Sequence, residues 1–214
     1  MKLLAINGSP RKNANTASLL EKLVAGAASA GAQAELVHLR SLKYSGCVSC
    51  FQCKEPEGKS YGRCVLKDGL TPVLQKAHEA EVLVLGSPFY FSIESSFMRA
   101  CMERLWFQYY LYSAKKPPLS PRKKACALLY TMNVREEDIP LYGKDKVIAV
   151  ARRVMERLFA PCELFLCCDT KQFKDYSKYE TDIWDVPAKL RRHEEVFPKE
   201  LERAFALGVS LVSA

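Results

Sequence analysis

The sequence predicts a three-layer α/β sandwich around a five-stranded parallel sheet. Two observations carry that reading. Short, almost wholly apolar runs recur along the chain, and stretches of helical periodicity separate them. Strands buried on both faces between layers of helices have this signature.

The elements follow in order. Residues 2–6, KLLAI, form the first strand and end at Gly8-Ser9-Pro10. Leu19, Leu20, Leu23, Val24 and Ala27 then recur at helical spacing until Gly31. Residues 34–39, AELVHL, make a second strand, and a long cysteine-rich loop follows it. Thr71-Pro72 opens a helix to about His78, and residues 81–86, EVLVLG, are a buried third strand ending at Ser87-Pro88. Phe97, Met98, Cys101, Met102, Leu105 and Trp106 mark the next helix. ACALLYTM (125–132) and ELFLCC (163–168) are strands four and five, with a helical stripe from Val147 to Leu158 between them. A last helix carries Leu201, Ala204, Phe205 and Val212. Five βα units of this length fit the flavodoxin-like winding, strand order 2-1-3-4-5.

At 214 residues the chain suits one domain, 1–214, with a cysteine-rich insertion at about 44–68. The start MKLLAINGSP has only a four-residue apolar run before a turn, too short for the core of a signal peptide, and no apolar run elsewhere could span a bilayer. Nine cysteines, an odd number, would risk mispairing in an exported protein. A cytoplasmic protein with no membrane association is expected. Cys101, Cys126, Cys162, Cys167 and Cys168 lie in apolar patterns and read as core residues.

The net charge of +8 admits an acidic partner. The densest basic group, Lys115, Lys116, Arg122, Lys123 and Lys124, is broken by prolines and carries no nucleic-acid motif, so it reads as a solvated face. The three histidines are scattered and no G-x-S-x-G elbow occurs, so hydrolytic catalysis has no support.

In a 2-1-3-4-5 sheet the ligand crevice lies at the carboxyl ends of strands one and three. The loop after strand one, NGSPRKNANT, brings Ser9, Arg11, Asn13, Asn15 and Thr16 to a helix amino terminus. That end favours a phosphate; the bland alternative is a turn capped by Thr16 or Asn15. Neither a Walker loop nor G-x-G-x-x-G is present, which favours a mononucleotide. After strand three come Pro88, Phe89, Tyr90 and Phe91, whose aromatics could face a flavin ring.

The segment GCVSCFQCKEPEGKSYGRC places Cys47, Cys50 and Cys53 three residues apart and Cys64 after ten more. The C-x2-C-x2-C run is of ferredoxin type and suits a 4Fe-4S cluster, with zinc or a metal-free loop as alternatives.

Together, G-S-P-R-K-N-x-N-T, G-S-P-x-Y-F, C-x2-C-x2-C and the following G-x-C and V-x-K-D resemble the NADPH-dependent FMN reductase family, in its iron–sulfur flavoprotein branch, over residues 1 to about 135. The resemblance implies an oxidoreductase with FMN, its phosphate on Ser9, Arg11, Asn13, Asn15 and Thr16 and its ring against Pro88 to Phe91. Thr131 and Asn133, at the end of strand four, would border the same crevice. The cysteines would hold a 4Fe-4S cluster; members of that branch keep the last gap shorter than the ten residues found here. It further implies homodimers or homotetramers, for which WFQYYLY (106–112) is a candidate interface, with a buried helix end followed by a strand as the equal alternative. The expected activity is electron transfer between flavin and cluster or a ferredoxin-type acidic partner. The alternative is a metal-free NAD(P)H-dependent FMN or quinone reductase. Whether residues 169–187 close over the flavin or pack on the surface is left open, with the surface favoured.

Overall fold

The computed structural model describes residues 1–120 and 124–213. Five parallel strands stand in the order β2 (Gln33–His38), β1 (Lys2–Asn7), β3 (Val82–Tyr90), β5 (Ala125–Thr131), β6 (Cys162–Cys167). A two-residue strand, β4 (Ile93–Glu94), turns back antiparallel on the end of β3. Counted without that hairpin, the order is the expected 2-1-3-4-5.

Alternation along each strand builds two cores. Leu4, Ile6, Leu83, Leu85 and Leu128 face α2 (Thr71–Glu79), α3 (Ser96–Tyr109) and α4 (Lys144–Leu158). Leu3, Ala5, Val82, Val84 and Leu129 face α1 (Asn15–Ser29) and α6 (Phe197–Ser213). The five cysteines assigned to the core are all buried, and all nine are free thiols.

The structure changes one sequence reading, decides another and adds a helix. Lys124 is not part of a solvated face. It is 1% exposed, and its ammonium donates to the carbonyls of Ala77 (2.9 Å), His78 (3.1 Å) and Ala80 (2.5 Å), closing the carboxyl end of α2. Arg122 and Lys123 lie outside the described residues. Lys124→Met would leave those carbonyls without this donor; a loss of about 2 kcal/mol is expected in urea denaturation.

The WFQYYLY run is mostly packed inside the chain. Trp106 donates to the Met155 sulfur (3.2 Å) and Tyr109 is 1% exposed, so Tyr112, at 73%, is its one strongly exposed ring. An additional helix, α5 (Val186–Glu195), was not expected. It buries only Lys189 and so shows no apolar stripe, although the Asp185 carboxylate caps it by accepting from the Ala188 amide (2.9 Å).

Candidate functional site

The loops after β1 and β3 are joined at their base. Ser95, the N-cap of α3, donates to the Gly8 carbonyl (2.5 Å), and its amide donates to Ser87 Oγ (3.1 Å). Gly8 has no room for a side chain, since a Cβ there would meet Met98 Cβ at 2.5 Å. This close approach sets the floor of a cleft at the carboxyl ends of the strands.

The cleft encloses about 380 Å³. Of the eleven residues expected to hold FMN, Ser9, Arg11, Asn15, Thr16, Pro88, Phe89, Tyr90, Phe91, Thr131 and Asn133 line it. Asn13 does not; it is exposed on the loop. At the helix end, Ala14 is the N-cap of α1 and supplies no side-chain cap, and the first turn has no acidic residue. Neither Thr16 nor Asn15 caps the helix. The amides there keep their capacity to donate to an anion. Thr16 and Thr131 meet hydroxyl to hydroxyl at 2.8 Å across the floor.

The last third of the chain supplies a wall that the sequence reading did not assign. Arg11 donates to the Gln172 carbonyl (2.9 Å) and Asn15 to the Lys171 carbonyl (3.0 Å), so both side chains anchor this segment. Thr170, Gln172 and Trp184 line the cleft. Tyr176 is 7% exposed and Phe173 stacks on Tyr179 at 3.9 Å, while Tyr179 and Ile183 stay exposed, so the segment packs on itself at the surface and reaches the cleft through Thr170, Gln172 and Trp184. Beneath it the Lys189 ammonium bonds to Asp169 and to Asn133 Oδ1, so the acceptor of Asn133 is already engaged. At the mouth, Phe91 and Ser92 have positive φ (50° and 67°) in the turn between β3 and β4, and the Phe91 ring is fully exposed.

A second site sits against α3. Left-handed residues Ser49 and Phe51 flank Cys50 and fold the C-x2-C-x2-C run back on itself. Non-glycine residues held this way cost roughly 1–3 kcal/mol each and concentrate at functional sites. The ten-residue gap closes on itself: the Gly62 amide donates to the Cys53 carbonyl (3.1 Å), and Gly62, at φ +73°, turns the chain back. Cys47, Cys50, Cys53 and Cys64 all line one small cavity of about 20 Å³.

One face of α3 holds this loop. Glu103 accepts from the Cys47 amide (3.3 Å), and Gln108 accepts from the Cys64 amide (3.1 Å). Lys54 reaches the carbonyls of Phe107 and Tyr110 at the end of the helix and lies 4.4 Å from the centre of the Phe107 ring. Arg104, 1% exposed, donates through Nε to the Cys64 sulfur (3.3 Å) and through its terminal nitrogens to Asp68 (2.6 Å), Ser45 O and Leu66 O (3.2 Å each). Burial works against its charge, but the bonds to Asp68 and Cys64 outweigh burial and hold its pKa above the ordinary value. Burial also pushes the Cys53 thiol up; Lys54 opposes this, and the other three cysteines, Cys64 foremost, add to it. The signal for Arg104 was an arginine among the apolar positions Cys101, Met102 and Leu105, where an unpaired charge is rarely buried.

The model of the family described as NADPH-dependent FMN reductase matches residues 1–146. The chain belongs to that family. An iron–sulfur flavoprotein of Methanocaldococcus jannaschii is 34% identical over 104 residues, which is 49% of this chain and 51% of its own length. One from Archaeoglobus fulgidus is 38% identical over 104 residues, 49% of this chain and 48% of its own. The chain therefore spans about half the length of the curated relatives it matches.

Solved structures of low identity share the fold. An NAD(P)H:quinone oxidoreductase from Methanothermobacter marburgensis superposes with TM-score 0.71 at 15% identity, over 99% of this chain and 98% of that one. An FMN-dependent NADH-azoreductase from Bacillus anthracis, in complex with FMN, gives 0.64 at 12%, over 97% and 100%. Among the described residues no helix of this FMN reductase family member is long and apolar enough to cross a membrane.

Proposed function

We propose that this chain is an FMN-binding redox flavoprotein whose cysteine loop holds a 4Fe-4S cluster. The observation that carries the reading is the placement of two separate sites along one helix. The amino end of α3 fixes the floor of the cleft through Ser95, and the face around Arg104 carries the four cysteines. Nine residues of helix separate them, about 14 Å of rise.

The cleft suits FMN in chemistry and in size, because ligand pockets run from about 300 to 1,000 Å³. The uncapped end of α1 and the hydroxyls of Ser9 and Thr16 would hold the phosphate. Arg11 would stay on Gln172 and present its remaining donors. Pro88 to Phe91 and Trp184 would border the ring.

The cysteine site suits a cluster better than a single ion. Four sulfurs on one zinc at about 2.3 Å must converge on one point. The C-x2-C-x2-C run of Cys47, Cys50 and Cys53 is of ferredoxin type. A cubane instead takes each cysteine at a different iron, so ligands ring a cavity without meeting. Lys54 and Arg104 supply positive charge beside it. When bound, a flavin exchanges electrons in pairs as hydride or singly, and a cluster exchanges them singly, which suits a link between a two-electron reactant and a one-electron carrier such as ferredoxin. No side chain is assigned as nucleophile or general acid. Assembly as homodimers or homotetramers, and location in the cytoplasm, belong to the same proposal.

Titration of the apoprotein with FMN, read by quenching of flavin fluorescence, tests the cleft. Thr16→Val keeps the volume but removes a hydroxyl donor. A hydrogen bond to a charged group is worth about 1.5–3 kcal/mol, so Kd should rise about 10- to 100-fold. Unchanged affinity would place the phosphate elsewhere.

A further inference from the structure

Arg104 has so far been assigned only its charge beside the cysteines. It comes from the middle of α3, is almost fully buried, and spends its guanidinium on four groups of the cysteine segment. Two of them, Ser45 and Leu66, are backbone carbonyls on the entry and exit of the loop. The third is Asp68, whose carboxylate also accepts from the amides of Leu70 (3.0 Å) and Ser45 (3.3 Å). The fourth is the sulfur of Cys64.

The same helix face fixes the remaining geometry. Glu103 takes the Cys47 amide and Gln108 takes the Cys64 amide, so α3 grips both ends of the cysteine set. Cys64 is the thiol for which the sequence gives the weakest support, because ten residues separate it from Cys53. The chain closes that gap with the Gly62–Cys53 backbone bond, and Arg104 then sets where the sulfur stands.

We propose that Arg104 is the positioning residue of the fourth cluster ligand and a determinant of the cluster's reduction potential. This rests on the cluster reading above. A fixed N–H donor on a ligating sulfur stabilises the more negative, reduced form of a cluster, since hydrogen bonds to sulfur and local charge set the potential. Asp68 neutralises part of the guanidinium charge at long range. The directed bond to Cys64 therefore carries more of the effect than the bare charge.

The test uses the full chain loaded anaerobically with FMN, iron and sulfide. Arg104→Gln combined with Asp68→Asn removes both charges, so the half-buried Asp68 carboxylate is not left without its partner. Arg104→Lys keeps the charge but loses the fork that reaches Cys64 and the carbonyls together. Both variants should keep wild-type FMN content. Both should release iron to a chelator faster, about tenfold or more for the double variant, and show a midpoint potential shifted to more negative values in an EPR-monitored titration. The shift should be smaller for Arg104→Lys. Wild-type release and wild-type potential in Arg104→Lys, or in the double variant, would overturn this inference alone. A wild-type chain that takes up no iron and sulfide would overturn the cluster reading, and this inference with it.

Discussion

Replacing Cys53 with serine is expected to cut iron bound per chain at least about tenfold, since loss even of an outer partner of a metal ligand costs 10- to 100-fold in affinity. Cys53 is the most buried of the four loop cysteines, at 7% exposed, and lies at the hinge of the loop. Its carbonyl accepts the Gly62 amide, and its neighbour Lys54 ties the segment to the end of α3. A hydroxyl fits the space of the thiol but is a poorer ligand for iron. FMN content should stay at the wild-type level, because the cysteine cavity and the cleft share no lining residue. Colorimetric iron and extracted flavin, measured on the same sample, check both halves. If flavin is lost as readily as iron, the loop belongs to the flavin site and the two-site account is wrong.

The second large effect concerns stability. Helices α1 and α6 touch through two glycines. A Cβ on Gly208 would lie 2.0 Å from the Leu23 carbonyl oxygen, and one on Gly26 would lie 2.0 Å from that of Phe205. Both obstacles are backbone, so no side chain can rotate away, and the helices must separate. Gly208→Ala would gain helix propensity of about 1 kcal/mol. Overpacking costs typically 1–3 kcal/mol and occasionally more, and a clash with backbone at this distance belongs at the upper end. A net loss of about 2–3 kcal/mol is expected, a fall in Tm of roughly 5–10 °C for a chain of this size. An unchanged Tm would mean that the two helices do not pack at this distance.

The sequence carried the sheet because most strands are short apolar runs, and runs such as VLVL in β3, too short for a helix and followed by Gly86-Ser87-Pro88, suit the middle of a covered sheet. It also carried the cleft, because ligand loops follow from strand order: Ser9 and Pro88 to Phe91 stand at the ends of β1 and β3, and Thr16 opens the helix that follows β1. What it did not carry are contacts between distant segments. Arg104 and Cys64 are forty residues apart, and Arg11 and Gln172 are 161 apart. No periodicity records such pairs. The hairpin strand β4 has two residues and so no pattern to detect. Trp184 sits in a polar stretch, where an aromatic residue alone does not say whether it faces a ligand or the surface.

The central claim is that one chain carries two redox sites, and the most direct measurement is cofactor content after anaerobic purification. The visible spectrum, extracted FMN, iron and acid-labile sulfide should be taken from a single preparation. The account predicts flavin bands over a broad cluster absorbance, with about one FMN, four irons and four sulfides per chain. Flavin bands with no iron, before and after reconstitution, would contradict it and leave a metal-free FMN or quinone reductase.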